Sequence, residues 1–201
     1  MIKNVIFDCG RVIMQYDERY ISSFFTDDKD DIEMLAKVAM HRKYWNAFDE
    51  GTLTEEVYLS EVKKELPERL HAAVEKLCAE WTYHMPPVEG IEAVIAEIKA
   101  SGKGLYLLSN FNRRLRGELH LAPSLLLFDG LVISGEIGMV KPNTDIYEYL
   151  LRTHGLKAEE CIFVDDRLDN IEAGEKCGIA GYLFDGSAEK LKKYLKDEGI
   201  I

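Results

Sequence analysis

Cys161-Ile162-Phe163-Val164-Asp165-Asp166 is an unbroken apolar run closed by two carboxylates, and its reading decides the fold. A run this short, without polar alternation, marks a strand covered on both faces rather than a helix. Working outward, the same pattern recurs at Val5-Ile6-Phe7, Leu105-Tyr106-Leu107-Leu108, Leu131-Val132-Ile133 and Gly181-Tyr182-Leu183-Phe184. Amphipathic stretches lie between these runs. Residues 88–100, 143–154 and 167–177 carry apolar positions at helical spacing, and the first ends at Ser101-Gly102, a fitting helix stop. Residues 187–197 read as a surface helix. Strand and helix therefore alternate from about residue 88 onward, which predicts an α/β fold with a doubly wound parallel sheet. Residues 15–85 break the alternation. They hold no good strand, and 29–43, 54–65 and 68–82 read as helices. Met85-Pro86-Pro87 then marks a boundary, because paired prolines cannot continue a helix. The expected organisation is an α/β core of residues 1–14 and 86–201, with a helical insertion of residues 15–85 after the first strand.

The 201 residues suffice for a well-buried core. With 47% hydrophobic and 30% charged residues the composition is that of a globular protein rather than a disordered one. The formal net charge of -11 disfavours nucleic acid and anionic membrane surfaces as partners. An anionic substrate would need local positive charge from Lys, Arg or a metal ion. Cys9, Cys78, Cys161 and Cys177 form no C-x-x-C pair and suggest neither a zinc site nor a disulfide framework. Reduced thiols, a first strand beginning almost at Met1 and the lack of a membrane-length apolar run give a cytoplasmic expectation.

In an open α/β sheet, ligands bind at the carboxyl ends of the strands. The residues that follow the predicted strands there are Asp8, Ser109 with Asn110, Lys141 a few residues beyond the third core strand, and Asp165 with Asp166. Three clustered carboxylates repel and hold raised pKa values unless a cation sits among them. Oxygen ligands with room left for water and a phosphate suit Mg²⁺. Lys141 would neutralise a substrate phosphate, Ser109 would donate hydrogen bonds to it, and a metal-held Asp8 would serve as a covalent nucleophile.

In this arrangement the chain resembles the haloacid dehalogenase-like hydrolase superfamily. The motifs that carry the resemblance are Phe7-Asp8-Cys9-Gly10-Arg11-Val12, Leu107-Leu108-Ser109-Asn110, Lys141-Pro142 and Phe163-Val164-Asp165-Asp166-Arg167-Leu168-Asp169-Asn170, in order and in register. The insertion is similar to that superfamily's small helical cap. The resemblance implies that Asp8 is nucleophile and metal ligand, that the Gly10 carbonyl and Asp166 complete the protein's Mg²⁺ ligands, and that Asp165 lies behind them. Ser109, Asn110 and Lys141 would hold and neutralise the phosphoryl group. The first and fourth motifs look closest to the subgroup that includes bacterial alpha-glucose-1-phosphate phosphatases, so a small phosphorylated metabolite is the expected substrate, and a monomer or weak dimer the expected state. One position departs from the pattern. Most phosphatases of the superfamily carry a second Asp two residues after the nucleophile, as general acid and then base. Gly10 stands there, and a missing general acid costs about 10²–10⁴-fold in rate. Two other readings stay open. A 2-haloacid dehalogenase would use the same nucleophile without a metal, but is expected to show Tyr at position 10. A weakly catalytic phosphate-binding protein would tolerate the loss at Gly10 but need not keep Asp8, Lys141 and Asp166.

Among the remaining residues, Cys9 is expected to pack away from Asp8, and the five histidines form no pair at metal-ligand spacing. Tyr44, Trp45 and Phe48 read as cap core, with one of them as a candidate pocket wall. Arg11 and Arg113 are candidates to approach an anion, and Asp169 and Asn170 read as capping or supporting groups.

Overall fold

The computed structural model describes residues 1–201. Five parallel strands, β1 (Asn4–Phe7), β2 (Gly104–Ser109), β3 (Gly130–Ile133), β4 (Cys161–Asp165) and β5 (Ala180–Leu183), form one sheet in the order β3-β2-β1-β4-β5. The chain builds outward from β1 to β3, then crosses back to start β4 on the other side of β1. The switch point therefore lies between β1 and β4, where open α/β sheets bind ligands. Each predicted strand is present, shifted at most by a residue or two.

Alternation along the strands sorts two apolar layers. Val5, Phe7, Leu105, Leu107, Ile162 and Val164 face one side, while Ile6, Leu108, Val132 and Phe163 face the other. The second layer is covered by α8 (Thr144–His154) and α9 (Leu168–Lys176), through Ile146, Tyr147, Leu150 and Ile171. The first is covered by α6 (Ile91–Ala100) and α10 (Ala188–Asp197). A crossover helix between β2 and β3 is missing. Three 3₁₀ turns, Arg113–Gly117, Leu119–Leu121 and Pro123–Leu127, take its place, and the short α7 (Ser134–Ile137) follows β3.

Between β1 and α6 the chain is helical: α1 (Glu18–Ser22), α2 (Lys29–Met34), α3 (Arg42–Asp49), α4 (Glu55–Glu65) and α5 (His71–Glu80). Asp17, Asp28 and Thr54 cap their helices by accepting backbone N–H bonds. The single helix expected over 29–43 is divided. It passes into a π-helical turn, Leu35–Ala39, and stops where His41 adopts extended backbone and its Nδ1 caps α3 by accepting from Lys43 N. The two crossings that connect this block to the sheet run side by side, with Val88 N donating to Ile13 O at 2.9 Å and Gln15 N donating to Pro86 O at 2.7 Å. No helix is long and apolar enough to cross a membrane.

One close approach ties the end of α3 to the sheet layer. Gly51 has φ +69, and a Cβ built there would lie 2.7 Å from the Gly135 carbonyl oxygen. Only a glycine with free access to the left-handed region fits. Gly51→Ala is expected to cost about 1–3 kcal/mol, seen as a melting-temperature loss of several degrees. An unchanged melting temperature would mean that the turn relaxes without strain.

Candidate active site

Strand register assembles the site. Phe7 pairs with Val164, so the next residues, Asp8 and Asp165, stand side by side at the carboxyl ends of β1 and β4. Asp8 N continues the ladder by donating to Val164 O at 2.9 Å. Lys141 arrives from the loop beyond α7. Its ammonium donates to Asp8 Oδ1 and to Asp165 Oδ2, both at 2.7 Å, and its side chain is 1% exposed. The Phe163 ring lies 5.1 Å from the same nitrogen. A buried ammonium is costly unless paired, and here it holds two carboxylates at once.

Asn110 fixes the lysine from behind. Its Nδ2 donates to Lys141 O at 2.9 Å and its Oδ1 accepts from Lys141 N at 2.8 Å. One Nδ2–H and the Oδ1 are thus engaged by the Lys141 backbone, and the second Nδ2–H remains without a partner within the protein. Asp165 is also fully engaged. Besides Lys141 it accepts from Arg167 N at 2.8 Å and from Asn170 Nδ2, 3.0 Å from each oxygen. Asn170, whose side chain the sequence marked as a supporting group, holds that carboxylate in place.

Asp8, Asp165 and Asp166 offer carboxylate oxygens that all lie within 4.8 Å of one another. Burial pushes the Asp8 carboxyl above the ordinary carboxylate range, with Asp165 adding to the rise and Lys141 opposing it. Asp166, half-buried, is raised by burial and by Asp165 and lowered by Arg11 and Lys141. Lys141 is held above its usual value by its two carboxylate partners, which outweigh the effect of burial. Ser109 is fully buried at the end of β2, and its Oγ has no hydrogen-bond partner within the protein. Cys9 packs into the apolar layer, where burial pushes its thiol far up and keeps it in the unreactive protonated form.

Asp8, Gly10, Asn110, Lys141 and Asp166 line a cavity of about 360 Å³ between the strand ends and the helical block, whereas Ser109, Asp165 and Arg113 are not among its lining residues. Across from them stand Trp45, Trp81 and Phe111, with Trp81 stacked on Phe111 at 5.2 Å and tilted against Trp45 at 5.4 Å. Trp45 is thus wall as well as core. The lining holds five carboxyl groups and four cationic side chains. Sequence reading missed Asp49, Arg42, Trp81 and Phe111 in this lining. Asp49 carried a usable signal: the acid absent at Gly10 calls for a carboxylate elsewhere, and Asp49-Glu50-Gly51 is an acidic helix end.

The sequence profile of the haloacid dehalogenase-like hydrolases matches residues 2–178. The chain belongs to this family. A sesquiterpene phosphatase of Aspergillus oryzae is 27% identical over 185 residues, covering 89% of this chain and 88% of its own. A D-ribitol-5-phosphate phosphatase of Bacteroides thetaiotaomicron is 22% identical over 201 residues, covering 94% and 95%. Among solved structures, a family enzyme of Bacteroides thetaiotaomicron in complex with magnesium and inorganic phosphate superposes with a TM-score of 0.72 at 17% identity, covering 95% of this chain and 99% of the other. That likeness shows the shared fold. As a haloacid dehalogenase-like hydrolase the chain is an enzyme, and its four motifs are the strand-end groups described above.

Asp165→Asn removes a charge that pairs with the buried Lys141, and should destabilise the protein by about 2 kcal/mol or more. Thermal melts check this, and an unchanged melting temperature would contradict it.

Proposed function

We propose that this hydrolase is a Mg²⁺-dependent phosphatase that cleaves small phosphomonoesters of the sugar-phosphate kind through a phosphorylated Asp8. The observation that carries the reading is the buried Lys141 ammonium shared at 2.7 Å between Asp8 and Asp165, at the floor of the cavity and beside Asp166. The donor set fits a hard divalent cation: three carboxylates gather within 4.8 Å. Asp8, the Gly10 carbonyl and Asp166 would hold Mg²⁺. Asp165, saturated by Lys141, Arg167 and Asn170, would stay behind them. Bound Mg²⁺ supplies positive charge to the phosphoryl oxygens.

The chain's own groups do the rest. Lys141 keeps one Asp8 oxygen fixed and balances charge on the phosphoryl group. The other Asp8 oxygen attacks phosphorus, the ester oxygen leaves, and water then cleaves the acyl phosphate. Ser109 Oγ, buried and without a partner within the protein, would donate to a phosphoryl oxygen once substrate is bound. Asn110 acts through Lys141, whose backbone it holds at both ends. The aromatic side of the cavity, Trp45, Trp81 and Phe111, receives the carbon skeleton, and Arg42 and Asn46 offer polar contacts to it. The phosphatase names of the two curated relatives agree with this reading.

Turnover of p-nitrophenyl phosphate should vanish in EDTA and return with Mg²⁺. Asp8→Asn should fall to background with the fold intact. Ser109→Ala should lose about 10²–10³-fold in kcat, the loss typical of one preorganised donor. Full turnover after exhaustive chelation would overturn the metal-dependent reading and favour the dehalogenase mode.

A further inference from the structure

We infer that Asp49, at the C-terminal end of α3, is the general acid and base that position 10 fails to supply. The inference rests on the phosphatase reading above. It starts from a vacancy in the chemistry. Gly10 has no side chain, yet an alkoxide leaving from phosphorus needs a proton. The only carboxylates in the cavity beyond the metal-holding pair are Glu18, Asp49 and Glu50. Glu18 pairs with Arg11 at 3.8 Å, and Glu50 is exposed. Asp49 is partly buried, and no hydrogen bond or ion pair engages its carboxyl; the charges that act on it, Asp8, Lys141 and Glu50, do so through space. It has no visible structural duty.

Its surroundings favour the protonated acid. Burial comes first, the Asp8 charge adds, and Lys141 opposes, leaving the carboxyl pushed up to about 7. The negative end of the α3 dipole acts in the same sense, since Asp49 is the helix's last residue. A carboxylic acid poised near neutral pH suits a group that must give a proton and then take one.

Its position is also built into the fold. Two residues after Asp49, Gly51 turns at φ +69 against the Gly135 carbonyl, and Gly138 lies close to the Glu50 carbonyl. These two glycine contacts seat the end of α3 on α7 and its C-terminal turn, and Asp49 lines the cavity at the strand ends. In the first step an Asp8 oxygen bonds to phosphorus as the P–O bond to the leaving group breaks, and the Asp49 proton passes to that oxygen, releasing a neutral alcohol. In the second step the Asp49 carboxylate takes a proton from water as the water oxygen bonds to phosphorus. Inorganic phosphate leaves, Asp8 is freed and Asp49 is again protonated.

The test compares kcat/KM, which reports leaving-group departure, for an alkyl phosphate and for p-nitrophenyl phosphate. Asp49→Asn should lose about 10²–10⁴-fold on the alkyl ester and less than about tenfold on the aryl ester, whose leaving group needs little protonation. If the Asn variant is not recovered folded, Asp49→Ser gives the same comparison. Gly10→Asp in the Asp49→Asn background should narrow the gap, because Gly10 is not in the left-handed region and a Cβ there meets nothing within 4 Å. An equal loss on both esters, or no loss, in a protein whose wild type turns over p-nitrophenyl phosphate would overturn the assignment of Asp49 alone. A wild type inert towards every phosphate ester would overturn the phosphatase reading and this assignment with it.

Discussion

Lys141 is held by two carboxylates in a place where water cannot solvate it, and the rest of the site follows from that constraint. An unpaired ammonium at that depth would be intolerable, so Asp8 and Asp165 must stand together at the ends of neighbouring strands. That in turn requires β1 and β4 to run parallel and in the register observed. The pairing is poor at stabilising the fold, because desolvation offsets most of the Coulombic attraction. It engages one Asp8 oxygen and leaves the other without a side-chain partner, the oxygen that the proposed mechanism uses for attack. The apolar layers on both sides of the sheet supply the stability that the site lacks.

In the proposed mechanism the site divides into groups that touch the reacting atoms and groups that hold them. Asp165 and Asn110 stand beside Asp166 and Ser109 in sequence. The hydrogen bonds distinguish them. Asp165 has both oxygens engaged and Asn110 makes two bonds to the Lys141 backbone, whereas the Ser109 Oγ has no partner within the protein and Asp166 lines the cavity. At the end of β4, the proposed mechanism gives positioning to Asp165 and metal binding to its neighbour Asp166.

Much of this was legible beforehand. The five strands announced themselves as short apolar runs because a parallel sheet buried on both faces leaves no polar alternation. The strand-end residues were legible because their place follows from the strand alone. What lay beyond reach depends on how separate pieces pack. The break in the helix over 29–43 rests on His41 capping α3, and the helix-free β2–β3 crossover rests on three successive 3₁₀ turns. Trp81, Phe111 and Asp49 meet in one cavity only after the helical block folds over the sheet, and no local spacing encodes that. Asn110 shows a subtler limit: a motif names the residue but not the backbone its amide will find.

The central claim is that Asp8 carries the phosphoryl group during turnover. Acid quenching of the enzyme during steady-state hydrolysis of a phosphate ester, followed by peptide mapping by mass spectrometry, tests it directly. The account predicts one phosphoryl group on the peptide that contains Asp8, absent without substrate and absent in Asp8→Asn. A phosphoryl group on any other residue, or its absence under conditions where breakdown of the intermediate is shown to limit turnover, would contradict it.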